Sequence, residues 1–212
     1  MATIVPAILE KTKEEFETRA NGFERLLNVQ RIQVDVADGK FVANTTVLAS
    51  DIDVLSPNYI WEAHLMVEEP VDFFDYQMLG FTVIIVHFES FKNVAILQSS
   101  LAQIHKLGLK VGLAFNPETS VSQVVPYAEQ VDQFTVLSVH PGMQGSNFLP
   151  QSLERVTELR ALCPNSVIEV DGGISLENAK AVADAGADYL VVGSALWDDA
   201  SRIFEDLQAL VA

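Results

Sequence analysis

The sequence has one cysteine, no long apolar run and no basic leader. Cys163 is the single cysteine among 212 residues, and one thiol can form neither an internal disulfide nor a thiolate metal cluster. No stretch reaches the roughly 18 consecutive apolar residues of a membrane span. The first residues, MATIVPAILEKTKEEF, do not have the pattern of a signal peptide. We therefore expect a protein of the reducing cytoplasm that does not bind membranes.

Basic side chains are also scarce. Lysine and arginine number 13 against 29 acidic residues, which gives a net charge of −16. A surface of this sign repels the phosphates of nucleic acids and of anionic membranes, so neither is an expected partner. An anionic small molecule would have to be held by backbone N–H groups and helix N-termini.

Short apolar runs alternate with segments of helical period along the whole chain. Eight runs read as strands, near 3–9, 30–36, 60–66, 82–88, 109–115, 133–139, 166–171 and 188–193. Eight segments read as helices, near 12–26, 46–55, 70–79, 92–107, 119–129, 150–162, 175–185 and 197–211. Strict alternation favours parallel strands joined by right-handed crossovers, and no glycine-rich dinucleotide fingerprint follows the first strand. We predict one α/β domain over 1–212, a closed (β/α)₈ TIM barrel.

Ionisable side chains end three of the predicted strands. In the second strand the odd positions, Gln33 and Asp35, are polar, so they face the barrel axis while the even positions face the helices. By the same parity His64 in the third strand and Asp171 in the seventh point inward. One imidazole and two carboxylates can hold a divalent metal ion, transfer protons, or do both. A buried cluster whose members satisfy one another is the alternative.

Glycines follow the last two predicted strands. VDGG occupies 170–173 and VGSAL occupies 192–196, where the loops of TIM barrels commonly bind phosphate. The loop HPGMQGSNFLP at 140–150 is long enough to fold over a ligand. These loops predict a phosphate site without identifying a reaction.

Ordered motifs over nearly the whole chain resemble the ribulose-phosphate 3-epimerase family. The family's Pro-Ser-Ile-Leu corresponds to PAIL at 6–9, and its His-Val-Asp-Val-Met-Asp-Gly-x-Phe-Val-Pro-Asn corresponds to QVDVADGKFVAN at 33–44. Further motifs follow in the family's order. They are HLMVEEP at 64–70, His87-x-Glu89, LAFNPET at 113–119, SVHPG at 138–142, EVDGG at 169–173 and AGADYLVVGSAL at 185–196.

The resemblance implies a cytoplasmic isomerase that interconverts D-ribulose 5-phosphate and D-xylulose 5-phosphate by 1,1-proton transfer through an enediolate. It implies a divalent metal ion (zinc, iron or manganese) on Gln33, Asp35, His64 and Asp171. Asp35 and Asp171 would be the acid–base pair. The implied substrate and phosphate contacts are Ala7, His64, Met66, Gly145, Ser146, Gly172, Gly173, Gly193 and Ser194. It also suggests a homo-oligomer.

The chain departs from the family pattern around the implied site. Gln33 stands where the family has a histidine ligand, and an amide oxygen binds zinc more weakly than imidazole does. Ala7 lacks the family's serine hydroxyl, Ala37 and Leu137 replace methionines, and Gln144 lies in a changed loop. We therefore expect an altered metal or substrate preference, or weaker epimerase activity. The alternatives are an epimerase or lyase acting on another phosphosugar, and a phosphosugar-binding barrel without catalysis.

Charged residues also share the inward parity deeper in the predicted barrel. Glu62, Lys110 and Glu169 are the residues concerned, and a charged interior needs pairing. We predict a buried contact between Lys110 and a carboxylate. His87, with Glu89, is expected to brace the rim of the site.

Overall fold

The computed structural model describes residues 1–70, 72–142, 145–196 and 199–212. Eight parallel strands pair in sequence order, and the eighth pairs with the first to close a barrel. The strands β1 to β8 are Thr3–Ile8, Arg31–Ala37, Ile60–Met66, Val83–His87, Lys110–Phe115, Gln133–Leu137, Val167–Asp171 and Tyr189–Val192. All eight predicted strands and the TIM barrel are confirmed.

The α-helices lie outside the barrel. The helices α1 to α7 are Lys13–Phe23, Phe73–Leu79, Val94–Lys106, Val121–Val124, Ser152–Leu162, Ala179–Asp184 and Ala200–Val211. Short 3₁₀ helices cover Ala49–Asp51, Phe88–Ser90, Val125–Gln130 and Ser194–Leu196. The α4 segment changes to 3₁₀ geometry at Val125, next to Pro126, which has no N–H to continue the α-helical pattern.

The helix predicted at 46–55 is wrong, because this segment bonds back onto the top of the barrel. The Thr46 amide donates to the Ala37 carbonyl at 3.1 Å, and the Val47 amide donates to the Glu10 carbonyl at 3.0 Å. The Thr46 hydroxyl also donates to the Asp35 carbonyl at 2.7 Å. Because these groups bond to other parts of the chain, the segment contains only one 3₁₀ turn, at Ala49–Asp51.

Apolar side chains fill the space between the strands and the helices. On β2 the even residues Ile32, Val34 and Val36 are fully buried in this layer, which leaves the odd residues to the barrel interior. The interior also has small apolar clusters, one of which contains Val5, Ala7 and Val191. The strand parity predicted from the sequence therefore holds on β2.

Two sets of polar side chains occupy the barrel interior. We call the set nearer the amino ends of the strands the lower layer: Arg31, Glu62, Gln133 and Glu169. We call the set nearer the carboxyl ends the upper layer: Gln33, Asp35, His64 and Asp171. Within the described ranges, none of the helices combines the length and the apolar character of a membrane span.

Candidate active site

A cavity opens at the carboxyl ends of the strands, and it brings together almost all of the predicted site residues. The residues of the prediction that line it are Ala7, Asp35, His64, Met66, Gly145, Ser146, Asp171, Gly172, Gly173, Gly193 and Ser194. Gln33 is fully buried and contacts the upper-layer residues from within the barrel. Gln144 and its neighbour Met143 lie outside the described residues.

His64 stands between the two carboxylates. Asp35 and His64 are paired in register on β2 and β3, and Asp171 ends β7 on the other side of the cavity. The His64 Nδ1 atom lies 2.9 Å from Asp35 Oδ1 and 3.2 Å from Asp171 Oδ2. One ring nitrogen therefore contacts both carboxylates.

Burial and the short contacts shift the pKa values in this layer. Burial raises the pKa of Asp35, although a hydrogen bond with His64 opposes it. Burial alone would lower the pKa of His64, but hydrogen bonds with Asp171 and Asp35 outweigh it and raise the value to about 10. Without a cation in the site, the His64 ring is therefore protonated on both nitrogens at neutral pH, and its positive charge balances the charge of one carboxylate.

The Gln33 amide connects the same groups. Its Nε2 atom donates to Asp35 Oδ1 at 2.7 Å and to Asp171 Oδ2 at 2.9 Å, and it lies 3.3 Å from His64 Nδ1. Its Oε1 atom is buried with no hydrogen-bond partner among the described residues. That oxygen is the atom that Gln33 would have to offer as a metal ligand.

The donor set fits a divalent cation. One ligand atom each from Asp35, His64 and Asp171 lies within 4.8 Å of the others. A set of one imidazole nitrogen and two carboxylate oxygens, with coordination positions left open, suits zinc, iron or manganese. The unpartnered Gln33 oxygen is compatible with a fourth position, and its role as a ligand stays a prediction.

Behind His64 lies a second buried histidine, His87. Its Nε2 atom is 2.8 Å from His64 Nε2, and its Nδ1 atom faces Glu89 Oε2 at 3.6 Å. Burial lowers the pKa of His87 to about 4, so the ring is neutral at pH 7. The sequence placed His87 at the rim, whereas the structure buries it completely. The signal that identifies it is the His-x-Glu spacing at the end of an apolar strand.

The loops after β6 and β7 pack directly against each other. Gly172 and Gly173 both have positive φ, at 116° and 64°. A Cβ atom on Gly173 would lie 2.6 Å from the Phe148 backbone nitrogen, so a side chain there would push the loops apart. The Ser138 hydroxyl donates to the Gly172 carbonyl at 2.6 Å. Ser138 is a supporting residue that the sequence analysis did not single out.

The loop after β2 contacts the predicted lid loop. The Asn44 side-chain amide donates to the Gly142 carbonyl at 2.8 Å. A Cβ atom on Gly142 would lie 2.6 Å from the Cβ of Val42. This contact connects two loops at the cavity entrance.

The lower layer corrects the prediction for Lys110. Lys110 is exposed at the start of β5, and Arg31 forms the buried ion pair with Glu62 instead. The Arg31 guanidinium also donates to Gln133 Oε1 at 2.9 Å and lies 4.1 Å from the centroid of the Tyr189 ring. Lys110 is the first residue of its strand, where a long flexible side chain can reach water.

Solved structures with a similar fold include enzymes that act on phosphosugars. One is 3-hexulose-6-phosphate synthase from Salmonella typhimurium, with a TM-score of 0.71 and 20% identity over 99% of this chain and 98% of that one. Another is 3-keto-L-gulonate-6-phosphate decarboxylase from Vibrio cholerae, with a TM-score of 0.74 and 13% identity over 99% and 97%. Similarity at these identities concerns the fold.

Curated relatives share more of the sequence. Ribulose-phosphate 3-epimerase from Schizosaccharomyces pombe is 34% identical over 172 residues, which are 78% of this chain and 74% of the relative. Ribulose-phosphate 3-epimerase from Escherichia coli K12 is 33% identical over 192 residues, 85% and 84%. The chloroplastic Arabidopsis thaliana enzyme is 34% identical over 92% of this chain and 71% of its own. The model of the ribulose-phosphate 3 epimerase family matches residues 3–197. The chain belongs to the ribulose-phosphate 3-epimerase family.

Proposed function

We propose that the protein interconverts D-ribulose 5-phosphate and D-xylulose 5-phosphate by moving the proton at C3. The observation that carries this proposal is the pair of carboxylates, Asp35 and Asp171, that face one cavity from different strands. Family membership over residues 3–197 supports the same reaction. The substrate is a small phosphorylated sugar, and we expect the enzyme to act in the cytoplasm, as a homo-oligomer.

Inversion at C3 requires two acid–base groups. A single group would return the proton to the face from which it came, so one carboxylate must accept the proton and the other must donate one to the opposite face. Asp35 comes from β2 and Asp171 from β7, and each contacts His64 Nδ1 through one oxygen. In the metal-free site, His64 would thereby hold the two carboxylates in position.

A C–H group next to a carbonyl is only a weak acid, so the negative charge that develops on the carbonyl oxygen when the proton leaves must be stabilised. Asp35, His64 and Asp171 would hold a divalent cation, whose positive charge would supply this stabilisation. Gln33 would assist by orienting both carboxylates through its amide. Oriented carboxylates do not have to reorganise during the reaction.

The remaining cavity residues would orient the sugar phosphate. Ala7 and Met66 give an apolar surface that limits water near C3. Backbone N–H groups at Gly145, Ser146, Gly172, Gly173, Gly193 and Ser194 would bind the phosphate. This use of the backbone suits a chain with a net charge of −16, because it needs no basic side chain.

Proton NMR of D-ribulose 5-phosphate with the purified protein tests the proposal. The reaction is followed with added zinc, manganese or iron(II), and again with EDTA. We expect xylulose 5-phosphate to appear with a cation and to be suppressed by EDTA. If no cation supports conversion of this substrate, other phosphosugars are screened. Conversion of one of those would favour a related epimerase or lyase, and binding without conversion would favour a non-catalytic barrel.

A further inference from the structure

We propose that His87 is a positioning residue that selects the tautomer of His64, with Glu89 fixing the hydrogen on His87. The inference rests on the proposed role of His64 in the site, and it assigns a task to the buried His87 and the half-buried Glu89, which lie outside the lining of that cavity. The selected tautomer of His64 carries its hydrogen on Nε2. Its Nδ1 atom can then give up the hydrogen that it shares with Asp35 and Asp171 in the metal-free site and offer a lone pair to a cation.

The contact between the two histidines is the first step. Their ring planes differ by only 15° with 5.0 Å between the centroids, and the facing Nε2 atoms are 2.8 Å apart. At this distance one of the two nitrogens carries the hydrogen and the other accepts it. The direction of this hydrogen bond determines which tautomer His64 adopts.

Glu89 determines that direction. Its Oε1 atom accepts from the backbone N–H of Asn116 at 2.8 Å and from the Thr119 hydroxyl. Burial raises the pKa of Glu89, but the nearby His87 ring and the hydrogen bonds from Thr119 and Asn116 outweigh it and lower the value, so the group is an ionised acceptor. Its Oε2 atom faces His87 Nδ1 at 3.6 Å, beyond hydrogen-bond distance, and neither atom has a hydrogen-bond partner among the described residues. A carboxylate is an acceptor only, so it favours the hydrogen on the ring nitrogen that it faces.

The hydrogen positions follow from these contacts. A neutral imidazole carries one hydrogen, so a His87 ring with its hydrogen on Nδ1 must accept at Nε2. His64 must then donate from Nε2. An imidazole that donates from one nitrogen to a buried acceptor has a fixed ring orientation, and its other nitrogen is free to act as a ligand. The opposite tautomer of His64 would place a hydrogen where a cation has to bind.

The substitution Glu89→Gln should reverse these hydrogen positions while the shape of the side chain stays nearly the same. Gln Oε1 can still accept from Asn116 and Thr119, so its NH₂ group would face His87 Nδ1. His87 would then have to carry its hydrogen on Nε2, which opposes a hydrogen on His64 Nε2. We expect Zn²⁺ affinity, measured by calorimetry with the metal alone, to fall by about 10- to 100-fold.

Two further variants keep the test specific. Glu118→Gln is the matched control, because Glu118 lies 3.0 Å from the exposed His140 Nδ1 and the chemical change is the same; we expect its Zn²⁺ affinity to stay within twofold of wild type. His87→Leu should lose affinity as Glu89→Gln does. His87→Gln should recover part of the loss, because an amide oxygen can accept from His64 Nε2. Thermal unfolding checks that each variant is folded.

Nitrogen-15 NMR of the histidine rings gives a readout that is independent of both metal and substrate. In the metal-free wild-type protein we expect hydrogens on His87 Nδ1 and on both nitrogens of His64. In Glu89→Gln we expect the His87 hydrogen on Nε2 and the His64 hydrogen on Nδ1 alone. The inference is overturned if the His87 hydrogen stays on Nδ1 in Glu89→Gln, or if its Zn²⁺ affinity matches that of Glu118→Gln. Failure of the proposed reaction would appear separately, as absence of conversion at C3 with these ring states unchanged.

Discussion

The two polar layers of the barrel contain similar side chains but have different roles. Each contains two carboxylates, one group that carries positive charge and one glutamine. In the lower layer Arg31 pairs with Glu62, and burial raises the pKa of Glu169 well above its ordinary value. In the upper layer the carboxylates flank His64 and line a cavity. The carboxylates of the upper layer can therefore reach a ligand, whereas those of the lower layer are fully buried.

The positively charged side chain of each layer, Arg31 or His64, explains much of the difference. In the lower layer Glu62 has a guanidinium partner, Arg31, in a buried ion pair. Burial and the charge of Glu62 both favour the protonated form of Glu169, and one proton kept on this pair of carboxyl groups leaves a layer without net charge. An imidazole can lose its proton, or exchange it for a metal ion. Replacement of guanidinium by imidazole distinguishes the reactive layer from the structural one.

The largest effect is expected for the upper-layer carboxylates. Asp171→Asn keeps the size of the side chain but cannot take up a proton, so conversion of ribulose 5-phosphate should fall by about 10²- to 10⁴-fold. Coupled assay of xylulose 5-phosphate measures the loss. Glu169→Asn, two residues earlier on β7, is a control in the lower layer. If it lowers kcat per folded molecule as much as Asp171→Asn does, the distinction between the layers fails.

The next effect concerns stability. Arg31→Met removes the partner of Glu62 and leaves a buried charge, so the free energy of unfolding should fall by about 3–5 kcal/mol. Urea denaturation measures it, with Arg25→Met as the control at a position outside this layer. We expect kcat per folded molecule to change by less than about threefold. Unaltered stability in Arg31→Met would show that the lower layer does not depend on this ion pair.

A smaller effect is expected from improving the upper layer as a metal site. Gln33→His supplies an imidazole in place of an amide, and Zn²⁺ affinity should rise by about tenfold or more because zinc prefers nitrogen ligands to amide oxygen. Calorimetric titration with Zn²⁺ measures the change. Gln133→His is the matched substitution in the lower layer and should leave the affinity unchanged. Equal gains in both variants would mean that zinc binds elsewhere.

The smallest effect is a pH dependence in the lower layer. Burial raises the folded-state pKa of Glu169 well above its ordinary value of 4.5. As the pH rises above 4.5, this carboxyl group therefore ionises in the unfolded chain but keeps its proton in the folded protein. Ionisation of the unfolded chain lowers the stability of the wild type as the pH rises. Glu169→Gln removes this loss and should gain stability relative to wild type between pH 5 and pH 8. A constant difference between the two proteins over that range would contradict the assignment.

Periodicity was sufficient to predict the barrel. Alternation along β2 separates Ile32 and Val34 from Gln33 and Asp35, because side chains of a strand point to opposite faces. The same parity brought Asp35, His64 and Asp171 to one place. The segment 46–55 escaped this reasoning, because its amides bond to Ala37 and to Glu10 in other parts of the chain.

Contacts across the barrel could not be predicted from the pattern. Arg31 reaches Gln133 from a strand on the far side of the barrel, and parity did not favour it over Lys110. The orientation of the Gln33 amide depends equally on neighbours from β2 and β7. His87 stands behind His64 because the ends of β3 and β4 are adjacent, and the burial of that contact emerges only when the barrel is assembled.

Deuterium incorporation at C3 of each epimer in D₂O tests most directly whether the upper-layer carboxylates act on opposite faces. Wild-type protein should exchange and invert both ribulose 5-phosphate and xylulose 5-phosphate. Asp35→Asn and Asp171→Asn should each retain slow exchange in one epimer without inversion, and the two variants should retain it in opposite epimers. Inversion at a wild-type rate in either variant, or exchange in the same epimer by both, would contradict the assignment of Asp35 and Asp171 as the acid–base pair.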